Sequence, residues 1–183
     1  MIYIVRHGQT DWNVVGRYQG RKDIELNQKG IEQARKIKEQ LKDVDFDLIF
    51  SSPLKRAVET ANIITDNNKN LIKDDRLIER NNGDLEGKLK SEILEEIDFN
   101  NPNGSGHGIE NINDFRKRIF DFFNYITNKH SEKNILVVTH AGVGIYARCY
   151  FEGEPLNNDY SLYKFKNCEV IKMIWQDSKI MVT

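Results

Sequence analysis

The amino-acid sequence predicts an α/β fold, a three-layer α/β/α sandwich around a mostly parallel sheet. The apolar run 1–5 and the β-branched run 134–139 have the composition of strands that are buried on both faces. Segments with helical periodicity lie between the predicted strands, and this alternation is typical of parallel sheets covered by helices. No internal repeat is present, and we expect residues 1–183 to form a single domain.

The first part of the chain supplies a second strand and two helices. Asn27 is a suitable cap for a helix, because apolar residues recur every three or four positions between 31 and 41. Residues 46–50 predict the second strand. The segment 51–53, Ser-Ser-Pro, then predicts a cap and a proline at the first position of a helix that runs to about Asp66.

The middle of the chain has weaker patterns. Residues 71–77 predict a strand that delivers Glu79, and residues 80–87 predict a loop. Residues 89–97 predict a helix. The segment 100–111 is rich in Asn and Gly, so it predicts a flexible excursion and a candidate lid.

The last part of the chain completes the alternation. An apolar stripe over 115–126 predicts a helix whose buried face belongs to the core. After the run 134–139, a further helix is predicted over about 142–151. Two apolar runs, 160–165 and 169–175, and a short strand at 179–182 end the predicted order.

Composition and charge exclude several classes of function. The 27 Lys and Arg residues nearly balance the 28 Asp and Glu residues, so a nucleic-acid or membrane partner has no electrostatic support. No apolar stretch approaches the roughly 20 residues of a membrane-spanning helix, and we expect a cytoplasmic protein. Cys149 and Cys168 lack metal-type spacing and are interpreted as reduced packing residues. The terminal strands make a homodimer a possible assembly.

Basic and imidazole side chains follow the predicted strand ends. Arg6 and His7 end the first strand, His140 ends the strand 134–139, and Arg56 lies near the start of the helix after the second strand. Ligands of open α/β sheets bind outside the carboxyl ends of the strands. Two guanidiniums in one pocket need an anion, and their forked donors suit a phosphoryl group. We therefore expect these four side chains to converge on one small anion.

Four motifs occur in a fixed order and cover most of residues 2–150. They are Arg6-His7-Gly8-Gln9-Thr10-x-x-Asn13, Ser51-Ser52-Pro53-Leu54-x-Arg56-Ala57-x-x-Thr60-Ala61, Leu77-x-Glu79-x-x-x-Gly83-x-Leu85-Glu86-Gly87 and Val137-Val138-Thr139-His140-Ala141-Gly142. This set resembles the signature of the histidine phosphatase superfamily, the phosphoglycerate mutase-like proteins. The resemblance implies a phosphoglycerate mutase-like fold and a phosphatase that acts on a small phosphorylated metabolite without metal or cofactor.

The resemblance also implies a role for each matched residue. His7 would be the nucleophile that becomes phosphorylated, and Glu79 would be the general acid and base. Nearby cations favour the neutral imidazole that this attack needs. The positions that would bind phosphate or substrate are Arg6, Asn13, Gln19, Gly20, Arg56, His140 and Ala141.

Other interpretations stay open at this stage. A metal site would use the two histidines, but no His-x-His or His-Glu-x-x-His pattern is present and Arg6 would repel a cation. A mutase would share the phosphohistidine, yet Asn81-Asn82 stands where similar mutases have His-Tyr, and there is no room for their long insertion. A non-catalytic module that binds a phosphorylated ligand is the third alternative. Three residues have undecided roles: Arg80, His107 and Glu110.

Overall fold

A computed structural model describes residues 1–67, 70–93, 97, 101, 106–174 and 181–182 of the chain. Within these residues six strands form one sheet, in the order β3-β2-β4-β1-β5-β6. The strands are β1 Ile2–Arg6, β2 Leu48–Ser51, β3 Leu71–Lys73, β4 Ile135–Thr139, β5 Val170–Ile174 and β6 Met181–Val182. The α-helices are α1 Asp11–Val15, α2 Gln28–Gln40, α3 Lys55–Ile64, α4 Ile112–Lys129 and α5 Ala141–Glu152.

The sheet is mostly parallel and is covered by helices on both faces. Strands β3, β2, β4 and β1 pair in parallel, whereas β5 and β6 add two antiparallel pairs at one side. Because successive side chains of a strand point to opposite faces, Val137 packs with α4 and α5 while Val138 packs with α2 and α3. The predicted three-layer α/β/α sandwich is confirmed.

The register of the central strands places several backbone ends at one edge of the sheet. Arg6 pairs with Thr139, and Ser51 pairs with Val138. The pairing continues one residue further, because the His7 amide donates to the Thr139 carbonyl at 2.9 Å. The next residues of all three strands therefore emerge together at the carboxyl edge.

The sequence prediction places α2, α4 and α5 correctly but not the start of α3. Asn27 caps α2 as predicted, since its side chain accepts the Gly30 amide at 2.9 Å. The prediction that Ser52 caps α3 with Pro53 at its first position is wrong, because α3 begins at Lys55 with Leu54 as the N-cap. The Ser52 hydroxyl instead contacts His140, and Leu54, the residue before α3, has extended backbone angles.

The middle segments differ most from the prediction. The strand predicted over 71–77 ends at Lys73, because the Asp74 side chain accepts the Arg76 amide and starts a 3-10 helix over Asp75–Leu77. Of the helix predicted over 89–97, the described part forms only a 3-10 helix at Lys90–Glu92, and residues 94–96 lie outside the described residues.

Three further segments complete the comparison. The short helix α1 was not predicted, although Thr10 and Asn13 form a capping box at its start. The run 160–165 contains a 3-10 helix, Tyr160–Tyr163, and not a strand. The candidate lid at 100–111 falls partly on residues 100 and 102–105, which lie outside the described residues. In the described part of the chain no helix is long and apolar enough to cross a membrane.

Candidate active site

A cavity of about 400 Å³ opens at the carboxyl edge of the parallel strands. Eight of the nine residues predicted for the site line it, and the ninth, His140, lies directly behind His7 with ring centroids 5.1 Å apart. The lining residues from that prediction are Arg6, His7, Asn13, Gln19, Gly20, Arg56, Glu79 and Ala141.

His7 is held as a neutral ring with one nitrogen available for attack. Its Nδ1 lies 2.7 Å from the Gly8 carbonyl oxygen, an acceptor, so Nδ1 carries the proton and Nε2 carries the lone pair. Arg56 Nε donates to that Nε2 at 3.3 Å. The pKa of His7 lies well below its usual value because the ring is buried and because Arg56 and Arg6 oppose a further positive charge.

Arg56 is fully buried on the first turn of α3 and is fixed by backbone carbonyls. Its Nη1 donates to Lys22 O at 2.7 Å and its Nη2 donates to Gly20 O at 2.8 Å. Burial lowers the pKa of Arg56 to about 10, and the nearby Glu79 carboxylate partly opposes that shift. The guanidinium is therefore oriented before any ligand binds.

Arg6 and His140 each bring a polar nitrogen that is buried without a hydrogen-bond partner in the described part of the chain. Arg6 Nη1 donates to Phe165 O at 2.5 Å, which leaves Nε unpaired. His140 Nε2 lies 2.8 Å from Ser52 Oγ, which leaves Nδ1 unpaired. Burial, then the charge of Arg56, keeps the pKa of His140 well below its usual value. Buried unpaired groups are costly, so these nitrogens suit an anionic ligand.

Glu79 lies on the other side of the cavity, at the start of α5. Its Oε2 accepts the Gly142 amide at 3.1 Å, and its Oε1 accepts the Arg80 amide at 3.0 Å. A helix N-terminus favours a carboxylate through its free amides and its dipole. A Cβ atom on Gly142 would lie 2.5 Å from Glu79 Oε1, so this approach requires glycine. The carboxyl group thus faces the same space as His7.

The remaining predicted residues line the cavity at its loop side. The Asn13 side chain accepts the Thr10 amide through Oδ1 at 3.1 Å. Gln19 has a buried Oε1 with no hydrogen-bond partner among the described residues. Gly20 has a φ of +50°, which other residues rarely adopt, and a Cβ there would lie 2.0 Å from Glu86 Oε1, so a larger residue would strain the backbone and displace that carboxylate.

The structure separates the three residues whose roles the sequence left undecided. Arg80 lines the cavity and donates through Nε to Glu110 O at 2.8 Å. The Glu110 carboxylate does not line it: it binds Arg118 Nε at 2.9 Å and the Asn81 amide at 3.1 Å. His107 does not line it either, and its carbonyl accepts the Asp84 amide. Glu110 therefore holds the loop after Glu79.

Sequence reasoning missed two residues that support the nucleophile. Thr60 Oγ1 accepts the Gly8 amide at 3.0 Å and donates to Arg56 O at 2.7 Å. Asn167 Nδ2 donates to His7 O at 2.9 Å. Thr60 lies inside a quoted motif, four residues after Arg56, and that helical spacing was the available signal. For Asn167 the available signal was weaker, because the segment Asn167-Cys168-Glu169-Val170 resembles the superfamily less closely than the four motifs do.

Metal binding has little support from the described residues. No group of three or more His, Cys, Asp or Glu side chains in the ranges that the structure describes is arranged to hold a metal ion. Three positively charged or potentially charged neighbours, Arg6, Arg56 and His140, surround His7. The arrangement suits a tetrahedral anion with a nucleophile on one side and a carboxyl group on the other.

Comparisons with known proteins show what this chain is similar to. The family model described as histidine phosphatase superfamily (branch 1) matches residues 2–183. Phosphoserine phosphatase 1 of Hydrogenobacter thermophilus is 35% identical over 147 residues, which cover 76% of this chain and 70% of that relative. The metal-independent phosphoserine phosphatase of Arabidopsis thaliana is 33% identical over an alignment of 195 residues, which covers 96% of this chain and 81% of that relative.

Solved structures share the whole fold. The phosphoserine phosphatase mutant from Entamoeba histolytica in complex with phosphoserine superposes with a TM-score of 0.85 at 26% identity, covering 100% of this chain and 94% of that one. Bacillus stearothermophilus YhfR superposes with a TM-score of 0.86 at 28% identity, covering 99% and 94%.

Proposed function

Because this chain belongs to branch 1 of the histidine phosphatase superfamily, we propose that it hydrolyses phosphate monoesters of small metabolites through a phosphohistidine on His7. The observation that carries this proposal is the buried, neutral His7 ring, whose Nε2 contacts Arg56 at 3.3 Å within a cavity that Glu79 also lines. The matched relatives named phosphatases support the same class of reaction.

In the first step His7 Nε2 attacks phosphorus, and the bond from phosphorus to the leaving oxygen breaks. The ring gains positive charge as the Nε2–P bond forms, and its Nδ1–H keeps donating to Gly8 O. Arg6, Arg56 and His140 stabilise the oxygens of the transferring group. Arginine contributions of this kind reach roughly 10³ to 10⁵ in rate.

Glu79 moves the protons of both steps. Glu79 takes up a proton from solvent before the first step and gives it to the leaving oxygen, so the alcohol departs neutral. It then takes a proton from water as the water oxygen attacks phosphorus and the Nε2–P bond breaks. Inorganic phosphate leaves, and both His7 and Glu79 return to their starting states. Covalent catalysis thus divides one difficult displacement into two easier ones.

The test of this proposal is phosphate release from p-nitrophenyl phosphate in the presence of EDTA. We expect turnover that His7→Ala abolishes and that His130→Ala, at the end of α4 and outside the cavity, leaves intact. In a separate assay without EDTA, vanadate should inhibit this turnover. A mixture of monophosphoglycerate and a bisphosphoglycerate primer should release phosphate without isomerisation. A folded protein without turnover, or turnover that survives His7→Ala, contradicts the proposal.

A further inference from the structure

One side of the cavity is apolar and takes no part in the phosphoryl chemistry. Helices α4 and α5 and the 3-10 helix Tyr160–Tyr163 contribute its side chains, which we call the apolar wall. The wall consists of Ile112, Phe115, Ile145, Tyr146 and Tyr160. Ile112 and Phe115 are three residues apart on α4, and Ile145 and Tyr146 follow Gly142 by three and four residues on α5, so each set lies on one helix face.

Ring contacts and one hydrogen bond fix the apolar wall in place. Phe115 and Tyr146 meet edge to face with centroids 5.6 Å apart, and Tyr146 lies 5.7 Å from Tyr160. The Tyr160 hydroxyl donates to Glu154 Oε2 at 3.0 Å, and Arg116 pairs with the same carboxylate. The Tyr160 hydroxyl is therefore bound outside the cavity while its ring lines it. A ligand meets a surface that needs little ordering.

The apolar wall begins next to the proposed general acid. A Cβ on Gly142 would lie 2.5 Å from Glu79 Oε1 and 3.1 Å from Phe115 Cζ, so carboxyl group and ring flank the same glycine. The leaving oxygen must reach Glu79 to take its proton. The alcohol attached to that oxygen therefore extends along the wall.

Building on the proposed function, we propose that the apolar wall is the subsite for the leaving alcohol and that this alcohol carries an aromatic or branched aliphatic group. An alcohol with an ammonium group would lack a partner here, because Glu79 is the one acidic side chain among the described residues that line the cavity. Arg17 and Lys90 also line the cavity, so an alcohol with a carboxylate is the competing class.

A panel of unactivated esters tests this subsite on the wild-type protein. The panel consists of benzyl phosphate, propyl phosphate, 3-phosphonooxypropanoate and O-phosphoserine. All four have poorly acidic leaving alcohols, so differences in kcat/KM reflect contacts between the alcohol and the cavity. We expect kcat/KM for benzyl phosphate to exceed that for the other three by about 10- to 100-fold. Equal values, or a preference for either charged ester, overturn the subsite. If p-nitrophenyl phosphate is not hydrolysed either, the proposed function fails instead.

A pair of variants tests the wall itself. Tyr160→Ala should lower the ratio of benzyl to propyl kcat/KM by about 5- to 10-fold, because only the benzyl ester uses the removed ring. Leu162→Ala is the matched control, since Leu162 lies in the same 3-10 helix and is 57% exposed. An unchanged ratio in Tyr160→Ala contradicts the assignment.

A second inference comes from Ser52, which contacts His140 and not the cavity. Ser52 and His140 are both fully buried, and Ser52 Oγ lies 2.8 Å from His140 Nε2. The Leu54 amide donates to the same hydroxyl at 3.3 Å, so one lone pair of Oγ is engaged. Among the described residues, His140 Nε2 is the one possible acceptor within hydrogen-bond distance of the hydroxyl, although the distance itself does not say which atom donates.

This arrangement determines which nitrogen of His140 carries the proton. If the Ser52 hydroxyl donates to Nε2, Nε2 must hold the lone pair, and a neutral ring then has its proton on Nδ1. That Nδ1 is the buried nitrogen without a partner in the described part of the chain. We infer that Ser52 is a positioning residue that fixes His140 as an Nδ1–H donor to the transferring phosphoryl group, a role that rests on the proposed function.

Nitrogen NMR of the wild-type protein tests the tautomer directly. The sequence contains four histidines, so ¹⁵N-histidine labelling gives an assignable spectrum. At about pH 8 we expect the long-range ¹H–¹⁵N pattern of an Nδ1–H tautomer for His140. An Nε2–H tautomer overturns the inference even when the enzyme is fully active, so this result is separable from failure of the proposed function.

Variants of Ser52 then test the consequence. Ser52→Ala should shift His140 toward a mixture of tautomers and lower kcat by about 10-fold with a smaller effect on KM, as expected for one lost oriented donor. Ser52→Thr should restore the Nδ1–H tautomer of His140 and the wild-type kcat. Ser51→Ala is the control, because the Ser51 hydroxyl donates to Ser52 O and makes no bond to His140. A wild-type tautomer and kcat in a folded Ser52→Ala contradict the role.

Discussion

The two halves of the cavity are built in different ways. The strand half, formed by residues 6–8 and 139–140, is fixed by sheet register and by bonds such as the one from the His7 amide to Thr139 O. The loop half, formed by residues 16–21 and 79–90, is tied by carboxylates. Glu86 Oε1 accepts the Arg21 amide at 2.8 Å and the Asn82 amide at 3.1 Å. The nucleophile and its neighbours Arg6 and His140 thus depend on the sheet, whereas the general acid Glu79 and the outer cavity depend on contacts between loops.

Arg56 connects the two halves and should show the largest effect. Its Nε reaches His7, while its Nη2 binds the Gly20 carbonyl of the loop half and its Nη1 binds the Lys22 carbonyl just after it. We expect Arg56→Ala to lower kcat/KM by about 10³, because a preorganised cation at the phosphoryl group is lost. Steady-state kinetics on the folded variant measure this loss.

Lys55→Ala is the control for Arg56. Lys55 begins the same helix and pairs with Glu25 at the surface, so its loss should leave kcat/KM within about twofold, as for most surface substitutions. A comparable loss in both variants would mean that the substitutions disturb α3 itself. It would contradict the role of the Arg56 guanidinium in stabilising the phosphoryl group.

Glu79→Gln, in the loop half, should slow the hydrolysis of two kinds of ester to different extents. The variant cannot give a proton, so hydrolysis of benzyl phosphate should fall by about 10² to 10⁴. Hydrolysis of p-nitrophenyl phosphate should fall far less, because nitrophenolate leaves without protonation. Equal losses for the two esters would remove Glu79 from the acid role.

The two buried histidines of the strand half should make the free energy of unfolding depend on pH. His7 and His140 have folded-state pKa values well below 6.5, so the unfolded chain binds more protons once the pH falls below that value. The free energy of unfolding should therefore decrease as the pH is lowered from about 6.5, by up to about 1.4 kcal/mol per pH unit for each histidine. Urea titrations between pH 5 and pH 8, about the usual range of histidine titration, measure it.

Replacing one of the two buried histidines tests the source of that pH dependence. His7→Ala should remove one of the two contributions and so reduce the slope, whereas Leu162→Ala, at an exposed residue without a titratable group, should leave the slope unchanged. A slope that does not respond to His7→Ala would contradict the burial of a neutral ring at this position.

Glu86→Ala should have the smallest effect and should act through the loop half. The substitution leaves the amides of Arg21 and Asn82 without their carboxylate, which loosens the segment that carries Gly20. We expect KM to rise by about 5- to 10-fold with little change in kcat and a loss of about 1 to 2 kcal/mol in stability. A larger fall in kcat than rise in KM would show that the two halves are not separable.

The strand half could be predicted from the sequence because its signals are local. Each reactive residue directly follows a buried apolar run, and parallel strands end at one edge, so residues 6, 7 and 140 had to meet there. Arg56 was predicted from its place near the start of α3. The predicted N-cap of α3 was wrong, because the Ser52 hydroxyl pairs with His140, which lies 88 positions away in the sequence.

The loop half could not be predicted because its contacts join distant segments without a periodic pattern. Glu86 binds the Arg21 amide 65 residues away, and Glu110 binds Arg118 and Asn81. Asn167 reaches His7 O from 160 residues away. The apolar wall was visible only as core periodicity, since Phe115 belongs to a helix stripe and nothing local distinguishes a cavity lining from a core.

The most direct test is to locate the phosphoryl group on the trapped enzyme. Rapid quenching during turnover of ³²P-labelled substrate, followed by peptide mapping at alkaline pH, identifies the labelled residue. The account predicts acid-labile phosphate on Nε2 of His7. Label on any other residue, or turnover with no phosphoenzyme at the shortest quench time, would contradict it.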